Sequence, residues 1–399
     1  MGATFAYVAC NGSTDSAPSV AVIDCETNQV VHTVALGAAS PLNGYNLLQV
    51  ATAPDGSQAY VVINSANRLV VIDTANFETT TTTVSTAPYS NPSVLVGGGI
   101  AIRADGFQGY VTGLNPGYLT VVNINPSEFG VPNQAAAVAR EIALQYQGYG
   151  VALTPDGGQI YVAMVASVTA SQTGVAAIDL AANSPPKLIS APGLPSDAEF
   201  LAVAVAPNGT VYVTEYTFGS VWVIDPATQA FDEAATIKVG NGPKAITLSH
   251  DGQTAYVTNE IDNSLSVIDL ATQTVTSFFV GEQPLGIALT PDGDFAYIAL
   301  GSGSVAVVST NPLKLVGTPI EVGGNPQSIA IPPGVPLTPV HVKFGLGGVL
   351  QKEVIILGEG GVMEVIPGDA PGPPLVINTN PGAEGQQGAE GTRSSDEER

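Results

Sequence analysis

Short runs of apolar residues alternate with polar turns along most of this chain. Residues 252–275, GQTAYVTNEIDNSLSVIDLATQTV, show the pattern, with β-branched and aromatic residues in runs bounded by Gly, Asn, Asp and Thr. Runs of four to seven residues closed by turn signals at this density are typical of β-strands rather than helices. We therefore expect an all-β chain built from many short strands.

The pattern also repeats at a fixed period. Tyr followed by Val or Ile recurs in one frame, at spacings of 41 to 53 residues, at Tyr7, Tyr60, Tyr110, Tyr161, Tyr212, Tyr256 and Tyr297. Six of these follow a turn such as APDGSQ or TPDGDF, and Val/Ile strands such as LVVIDTAN or VWVIDPAT come after them. A period of 40 to 50 residues with four strands per unit predicts a β-propeller.

Counting the units predicts how the ring closes. The N-terminus supplies a second, third and fourth strand (TFAYVAC, SVAVIDC and QVVHTVAL) but no first strand. The missing first strand recurs at the other end as SIAI, residues 328–331, 41 residues after IALT at 287–290. We therefore predict seven blades, with this C-terminal strand paired into the N-terminal blade so that no blade edge stays open.

The best-preserved units resemble a known repeat. VGNGPKAITLSHDGQTAYVTNEIDNSLSVIDLATQTV and VGEQPLGIALTPDGDFAYIALGSGSVAVVS are similar to the YVTN-type β-propeller repeat, whose name Tyr256 to Asn259 spell. The resemblance covers roughly residues 3–334 and is weaker in blades two to four. It implies a seven-bladed propeller among surface-layer and other cell-surface, adhesive and periplasmic proteins, lactonases, and cofactor-bearing subunits of electron-transfer enzymes.

Three segments are expected along the chain. Residues 1–334 form the propeller, and residues 335–380 form a β-rich extension with strands near VHVKFGLG, KEVIILG, GVMEVIPG and PLVINT. Residues 381–399 have almost no apolar content, which is typical of a disordered acidic tail. The extension is a candidate for capping the ring or for assembly with another chain.

Charge and hydropathy narrow the function classes. The 399 residues include 34 acidic and 11 basic ones, a net charge of −23, so nucleic-acid binding is not expected. No apolar run reaches the roughly 18 residues that span a bilayer. The start, MGATFAYVAC, has no export signal. The chain is then either intracellular or exported with its signal removed, and its Thr-, Ala- and Gly-rich surface favours an extracellular, cell-surface or periplasmic location.

Most polar side chains with potential chemistry have a structural interpretation. The Asp of each Asp-Gly turn, and Asp24, Asp73, Asp179, Asp225 and Asp269 after the third strands, are expected to accept backbone N–H groups. Cys10 and Cys25 end opposite ends of one hairpin, roughly 15 Å apart, so two free, mostly buried thiols are expected. His32, His250 and His341 are scattered, and neither a metal site nor a cofactor is predicted.

Position therefore predicts a site better than any motif. Propeller ligands usually bind at the mouth of the central channel, which loops entering the first strands and turns after the second strands should line. Tyr149, Glu199, Phe200 and Lys244 are expected in those loops, and Tyr216 and Asn259 in those turns. Our candidate ligand-binding residues are Tyr45, Asn46, Arg68, Tyr149, Glu199, Glu215, Lys244 and Glu260; catalytic residues are not assigned. Lys244 also fits a solvated loop residue.

Three functions stay open. We favour a non-enzymatic binding or assembly module that takes a protein partner or a small ligand at the channel face. The alternative is a lactonase-like hydrolase at the channel mouth, for which Lys244, Glu199, Arg68 and Glu215 are the available charged groups. A subunit of a redox enzyme is a third option, although the sequence carries no haem or quinone signature.

Overall fold

A computed structural model describes residues 4–12, 17–37, 48–63, 68–83, 98–114, 117–124, 137–165, 173–182, 184–191, 193–195, 198–333, 340–346, 349–356, 362–367 and 375–378. The regular elements in these ranges are β-strands, and no helix able to cross a bilayer occurs among them. The chain divides into two compact units, residues 2–334 and residues 335–399 with Met1.

The first unit is a seven-bladed β-propeller, as predicted. Each blade is an antiparallel sheet, and the strands of blades one to four, from the hub outward, are β29 (Asn325–Ala330), β1 (Phe5–Asn11), β2 (Ser19–Asp24), β3 (Gln29–Ala35); β4 (Leu48–Thr52), β5 (Gln58–Ile63), β6 (Arg68–Asp73), β7 (Thr79–Thr83); β8 (Ile100–Ile102), β9 (Gln108–Leu114), β10 (Gly117–Asn123), β11 (Ala137–Ala143); β12 (Gln147–Leu153), β13 (Gln159–Val165), β14 (Gly174–Asp179), β15 (Lys187–Ser190). Blades five to seven contain β16 (Phe200–Val205), β17 (Val211–Glu215), β18 (Ser220–Asp225), β19 (Ala230–Lys238); β20 (Pro243–Leu248), β21 (Thr254–Asn259), β22 (Ser264–Asp269), β23 (Thr274–Phe279); β24 (Pro284–Leu289), β25 (Phe295–Leu300), β26 (Ser304–Thr310), β27 (Leu313–Leu315) and β28 (Ile320–Glu321).

The ring closes as the sequence predicts. Strand β29 pairs antiparallel with β1, so that Tyr7 faces Ala330 and Val8 faces Ile329. The first blade therefore combines three N-terminal strands with one strand from the far end of the unit. Hydrogen bonds between these two segments leave neither as an open sheet edge.

Burial falls from the middle strands to the rim. Strands β5 and β25 are almost wholly buried, because neighbouring blades cover both faces of each sheet. The outermost strands β3 and β23 are mostly exposed. Strand position thus explains the sequence pattern: Val, Ile and Tyr fill the second and third strands, whereas polar residues such as Thr are frequent in the fourth.

The two families of turns hold the blades in shape, as expected for the repeated aspartates. In blade six, Asp251 accepts the N–H of Gln253 at 3.0 Å, and Asp269 accepts the N–H groups of Ala271 and Thr272 at 3.0 and 2.9 Å. Gly252 has a positive φ of 66°, and a Cβ there would lie 2.5 Å from Cδ of Pro207 in blade five. Glycine thus permits both the turn and its contact with the neighbouring blade.

Blade seven departs from the simple four-strand prediction. The segment GTPIEVG contributes only the two-residue strand β28, and an additional strand, β27, pairs with the other end of β26. Leu313 faces Thr310 directly after a short turn, which brings the chain back onto β26 sooner than the repeat predicts.

The second unit contains a four-stranded antiparallel sheet in the order β30 (Val340–Leu346), β31 (Val349–Ile356), β32 (Val362–Pro367) and β33 (Leu375–Asn378). These are the further strands predicted after the ring. Residues 381–399, predicted to be disordered, lie outside the described residues.

Candidate functional site

The first strands of the seven blades form a closed inner ring. Each of β29, β4, β8, β12, β16, β20 and β24 contacts the first strands of the two neighbouring blades. Their shared axis holds a cavity of about 140 Å³ to which all seven blades contribute lining residues. The site is therefore a property of the whole ring rather than of one repeat.

Small residues at one repeated position bring these strands together. Six blades place a small residue there, namely Gly99, Gly150, Ala202, Ala245, Gly286 and Ser328, whereas blade two has Gln49. A Cβ on Gly150 would lie 2.7 Å from the carbonyl oxygen of Leu201 and 2.8 Å from Cα of Ala202. The channel is narrow because the backbones of adjacent blades approach this closely.

Threonines on the second strands tie the inner strands to one another. The hydroxyl of Thr258, which is fully buried, accepts the N–H of Ala245 at 3.0 Å and donates to the carbonyl of Leu285 in the next blade at 2.7 Å. Thr112 makes the matching bond to the carbonyl of Tyr149 at 2.6 Å. The Thr of the YVT motif thus fixes the spacing between neighbouring inner strands.

Lys244 is the one charged side chain among the residues described as lining the cavity. Its Nζ lies 3.4 Å from Oε2 of Glu260 and 5.3 Å from the ring centroid of Tyr216 in blade five. Both contacts favour the protonated ammonium, through charge attraction and through the electron-rich face of the ring. The structure therefore fixes a cation at the channel wall.

Two tyrosines beside this lysine are kept neutral. Burial, with the negative charges of Glu260 and Glu199 adding to it, raises the pKa of Tyr216 to about 12. Burial and Glu199 also raise the pKa of Tyr149 above its ordinary value. Both phenols therefore carry their protons at neutral pH and can donate hydrogen bonds.

Glu215 serves the backbone. It is fully buried, and its carboxylate accepts N–H groups from Glu199 at 3.3 Å, Thr217 at 3.0 Å and Phe218 at 2.8 Å. Burial raises the pKa of Glu215 despite these bonds, which lower it. The carboxylate braces the turn after β17, so it is less available to a ligand than the sequence suggests.

The remaining candidates are placed as follows. Tyr149 and Lys244 line the cavity from within β12 and β20, and Phe200 lies within β16, so these three are not in entering loops. Irregular pairing at Gly148/Val151, Phe200/Val203 and Pro243/Ala245 extends the first strands beyond their alternating segments. Arg68 begins β6 in blade two, three blades from Lys244, and Tyr45 and Asn46 lie outside the described residues.

The sequence analysis missed several lining residues. Gln49, Gln327, Leu201 and Leu285 also face the cavity. Three of them occupy, or lie directly before, the repeated small position, and Lys244 lies directly before Ala245. Aligning the seven first strands on that small residue is the signal that would have found them.

The other titratable groups behave as predicted where the structure describes them. Both cysteines are free, with Cys10 buried and Cys25 partly buried. His250 is exposed in its turn, and His32 lies on the outer strand β3, stacked on Phe77 at 4.3 Å. Within the described ranges, no group of three or more His, Cys, Asp or Glu side chains is arranged to hold a metal ion.

Comparisons with known proteins bear on the fold. No family model and no curated protein matches the chain. Solved structures do match: the Pseudomonas aeruginosa periplasmic gluconolactonase PpgL at 18% identity, with a TM-score of 0.60, covers 82% of this chain and 98% of its own. These neighbours are seven-bladed β-propellers. The chain shares their fold.

Two further neighbours show the breadth of that fold. A candidate 6-phosphogluconolactonase from Bacteroides fragilis has 16% identity and a TM-score of 0.60 over 83% of this chain and 98% of its own. The Kuenenia stuttgartiensis hydrazine synthase has 18% identity and a TM-score of 0.58 over 82% of this chain and 96% of its own. At such identities the likeness establishes the architecture, and function has to be argued from the site.

Proposed function

We propose that this YVTN-type propeller is a non-enzymatic binding module that takes a small organic anion at the mouth of its central channel. One observation carries the proposal: seven inner strands converge on a cavity of about 140 Å³ whose described lining combines apolar side chains, two glutamines and one cation, Lys244. A mostly apolar pocket with a few convergent polar groups is the usual form of a ligand site.

The size and chemistry of the cavity define the ligand class. An apolar protein cavity of about 150 Å³ holds a molecule of the size of benzene. Lys244 can donate to a carboxylate, and the amides of Gln49 and Gln327 are further polar partners in the lining. A compact carboxylate with an apolar ring or branched alkyl group suits this combination.

The second candidate is a lactonase-like hydrolase. It is favoured by the names of two structural neighbours, which are lactonases, and by the carboxylate of Glu260 beside Lys244. Hydrolysis requires a group that activates water near the substrate. The described cavity lining contains no His, Asp or Glu, which makes binding the better-supported activity.

Titration calorimetry with benzoate and gluconate, beside a pH-stat assay with glucono-lactone, separates the two functions. The binding module is supported if a carboxylate binds and Lys244→Met weakens it at least about tenfold, as expected for a charge-assisted bond. Lys238→Met is the matched control, because Lys238 is exposed on β19 and bonds only the carbonyl of Phe218 among its described contacts. Lactone turnover that Glu260→Gln abolishes would replace binding with hydrolysis, and neither binding nor turnover would refute both.

We further propose that the module works outside the cytoplasm and that the C-terminal sheet serves assembly. Truncation after residue 334, at the boundary between the two compact units, tests the second point. Light scattering and cell fractionation of both forms are the measurements. An unchanged oligomeric state and unchanged fractionation after truncation would remove the role given to this sheet.

A further inference from the structure

The surface at the opposite end of the blades from the channel mouth is strongly acidic. In every blade the first and third strands run in the same direction, so the turns that follow them emerge at one end, as the pairing of Thr254 with Asp269 shows in blade six. We name this surface the aspartate face. Its turn aspartates are Asp24, Asp55, Asp73, Asp105, Asp156, Asp179, Asp225, Asp251, Asp269 and Asp292.

These carboxylates are fixed and remain ionised. Each accepts at least one backbone N–H in its turn. Hydrogen bonds, led by the hydroxyls of Thr154 and Ser249, lower the pKa values of Asp156 and Asp251. Within the described turns the basic residues are Arg103, which is paired with Asp105 at 2.6 Å, and His250. The face therefore keeps a large negative charge at neutral pH.

A groove opens on the aspartate face between blades four, five and six. Its cavity volume is about 370 Å³, and its walls include Pro155, Val205, Pro207, Thr247, Leu248 and His250. None of its lining residues also lines the channel cavity. Asp156 and Asp251 directly follow two wall residues, so their carboxylates lie at the rim of a partly apolar groove.

We propose that the aspartate face docks a cationic peptide segment of a protein partner, with aliphatic side chains in the groove and ammonium or guanidinium groups on the rim carboxylates. Charge complementarity selects this occupant, because complementary potentials steer association and suppress wrong partners. Lys and Arg also carry apolar stems that pack along apolar walls while their charged ends stay in water.

The same charge argues against other occupants. A nucleic acid or an anionic lipid surface would be repelled by the aspartates. A second copy of this chain would bring the same acidic face. A bound metal ion is not favoured, since the described residues hold no cluster of three suitable side chains. The proposal is independent of the channel-mouth ligand, which binds at the other end of the blades.

The test uses fluorescence anisotropy with a labelled Lys/Leu peptide and the full chain at low ionic strength. The matched probes are a Glu/Leu peptide and a Lys/Gly peptide of the same length. We expect tight binding of the Lys/Leu peptide only, weaker binding once Leu is replaced by Gly, and loss of binding near 1 M salt, where the Debye length is about 3 Å.

Two double variants locate the contact. Asp156→Asn with Asp251→Asn removes two rim charges but keeps the turn acceptors, since Asn208 already fills the same role in blade five by accepting the N–H of Thr210 at 3.0 Å. The control, Glu282→Gln with Glu321→Gln, removes two exposed charges at the channel-mouth end. We expect about three- to tenfold weaker binding for the first pair and less than about twofold for the control, as rim ion pairs typically give.

Three outcomes would overturn the proposal. Equal losses in the two double variants would mean attraction to net charge alone. Equal binding of the Lys/Leu and Lys/Gly peptides would remove the groove from the contact. Absence of binding to the Lys/Leu peptide at low ionic strength would remove the docking surface altogether.

Discussion

Thr258 provides the sharpest test of how the inner ring is held together. Thr258→Val keeps the shape of this fully buried side chain and removes only the hydroxyl. Two backbone groups then lose a partner: the N–H of Ala245, bonded at 3.0 Å, and the carbonyl of Leu285, bonded at 2.7 Å. Leu285 lies where pairing between β24 and β25 shifts register, so the sheet does not replace the lost bond.

The expected loss follows from those two groups. Leaving a buried polar group unsatisfied costs about 1–3 kcal/mol. Because valine fills the same space, no cavity contribution is added, and we expect Thr258→Val to lower the free energy of unfolding by about 2–4 kcal/mol. The matched control is Thr276→Val on the exposed outer strand of the same blade, expected to change stability by less than about 0.5 kcal/mol.

Urea unfolding followed by tryptophan fluorescence measures this difference. The chain has one tryptophan, Trp222, which is buried in blade five beside Phe200 and Phe231. It therefore reports on the blade next to the altered one. If Thr258→Val and Thr276→Val unfold at the same urea concentration as the unaltered protein, the hydroxyl does not hold the neighbouring inner strands together.

Three further predictions concern single groups. Burial raises the folded pKa of Glu215 above 4.5, so its stabilising contribution is present below that pH and is lost as pH rises; urea midpoints of the unaltered protein should fall relative to Glu215→Gln between pH 4 and 7, and parallel profiles would contradict this. Gln273 is exposed with a positive φ of 57°, so Gln273→Asn should stabilise the fold by about 0.5 kcal/mol, whereas Gln253→Asn, at an ordinary φ, should not. Burial raises the pKa values of Cys10 to about 12 and Cys25 to about 11, so Ellman's reagent should label both slowly until urea is added, with Cys25 first; rapid labelling of the folded protein would exclude buried thiols.

The repeat predicts the ring because each unit carries its own local signals. Tyr297 and the turn at Asp292 mark a second strand wherever they recur, and an unpaired strand at each end of the count predicts the pairing of Tyr7 with Ala330. The extra strand β27 was missed because it depends on a short local reversal beside Thr310 that other units lack.

The site was harder to predict because its contacts cross blades. Lys244 and Glu260 belong to one blade, yet the aromatic ring under Lys244 is Tyr216 of the next. Glu215 resembled a site residue since a carboxylate at a turn is usually solvated, and only the fold shows its oxygens bonded to three backbone N–H groups. Distances between repeats depend on how tightly the inner strands approach, which no single repeat encodes.

The pairing of β1 with β29 also orders events during synthesis. A ribosome makes residues 5–11 first, yet their hub-side neighbour, residues 325–330, is made more than 300 residues later. Until then the earliest sheet carries an uncovered edge, which is the kind of surface that pairs with other chains. Completion of the first blade is thus a signal that nearly the whole circle has been translated.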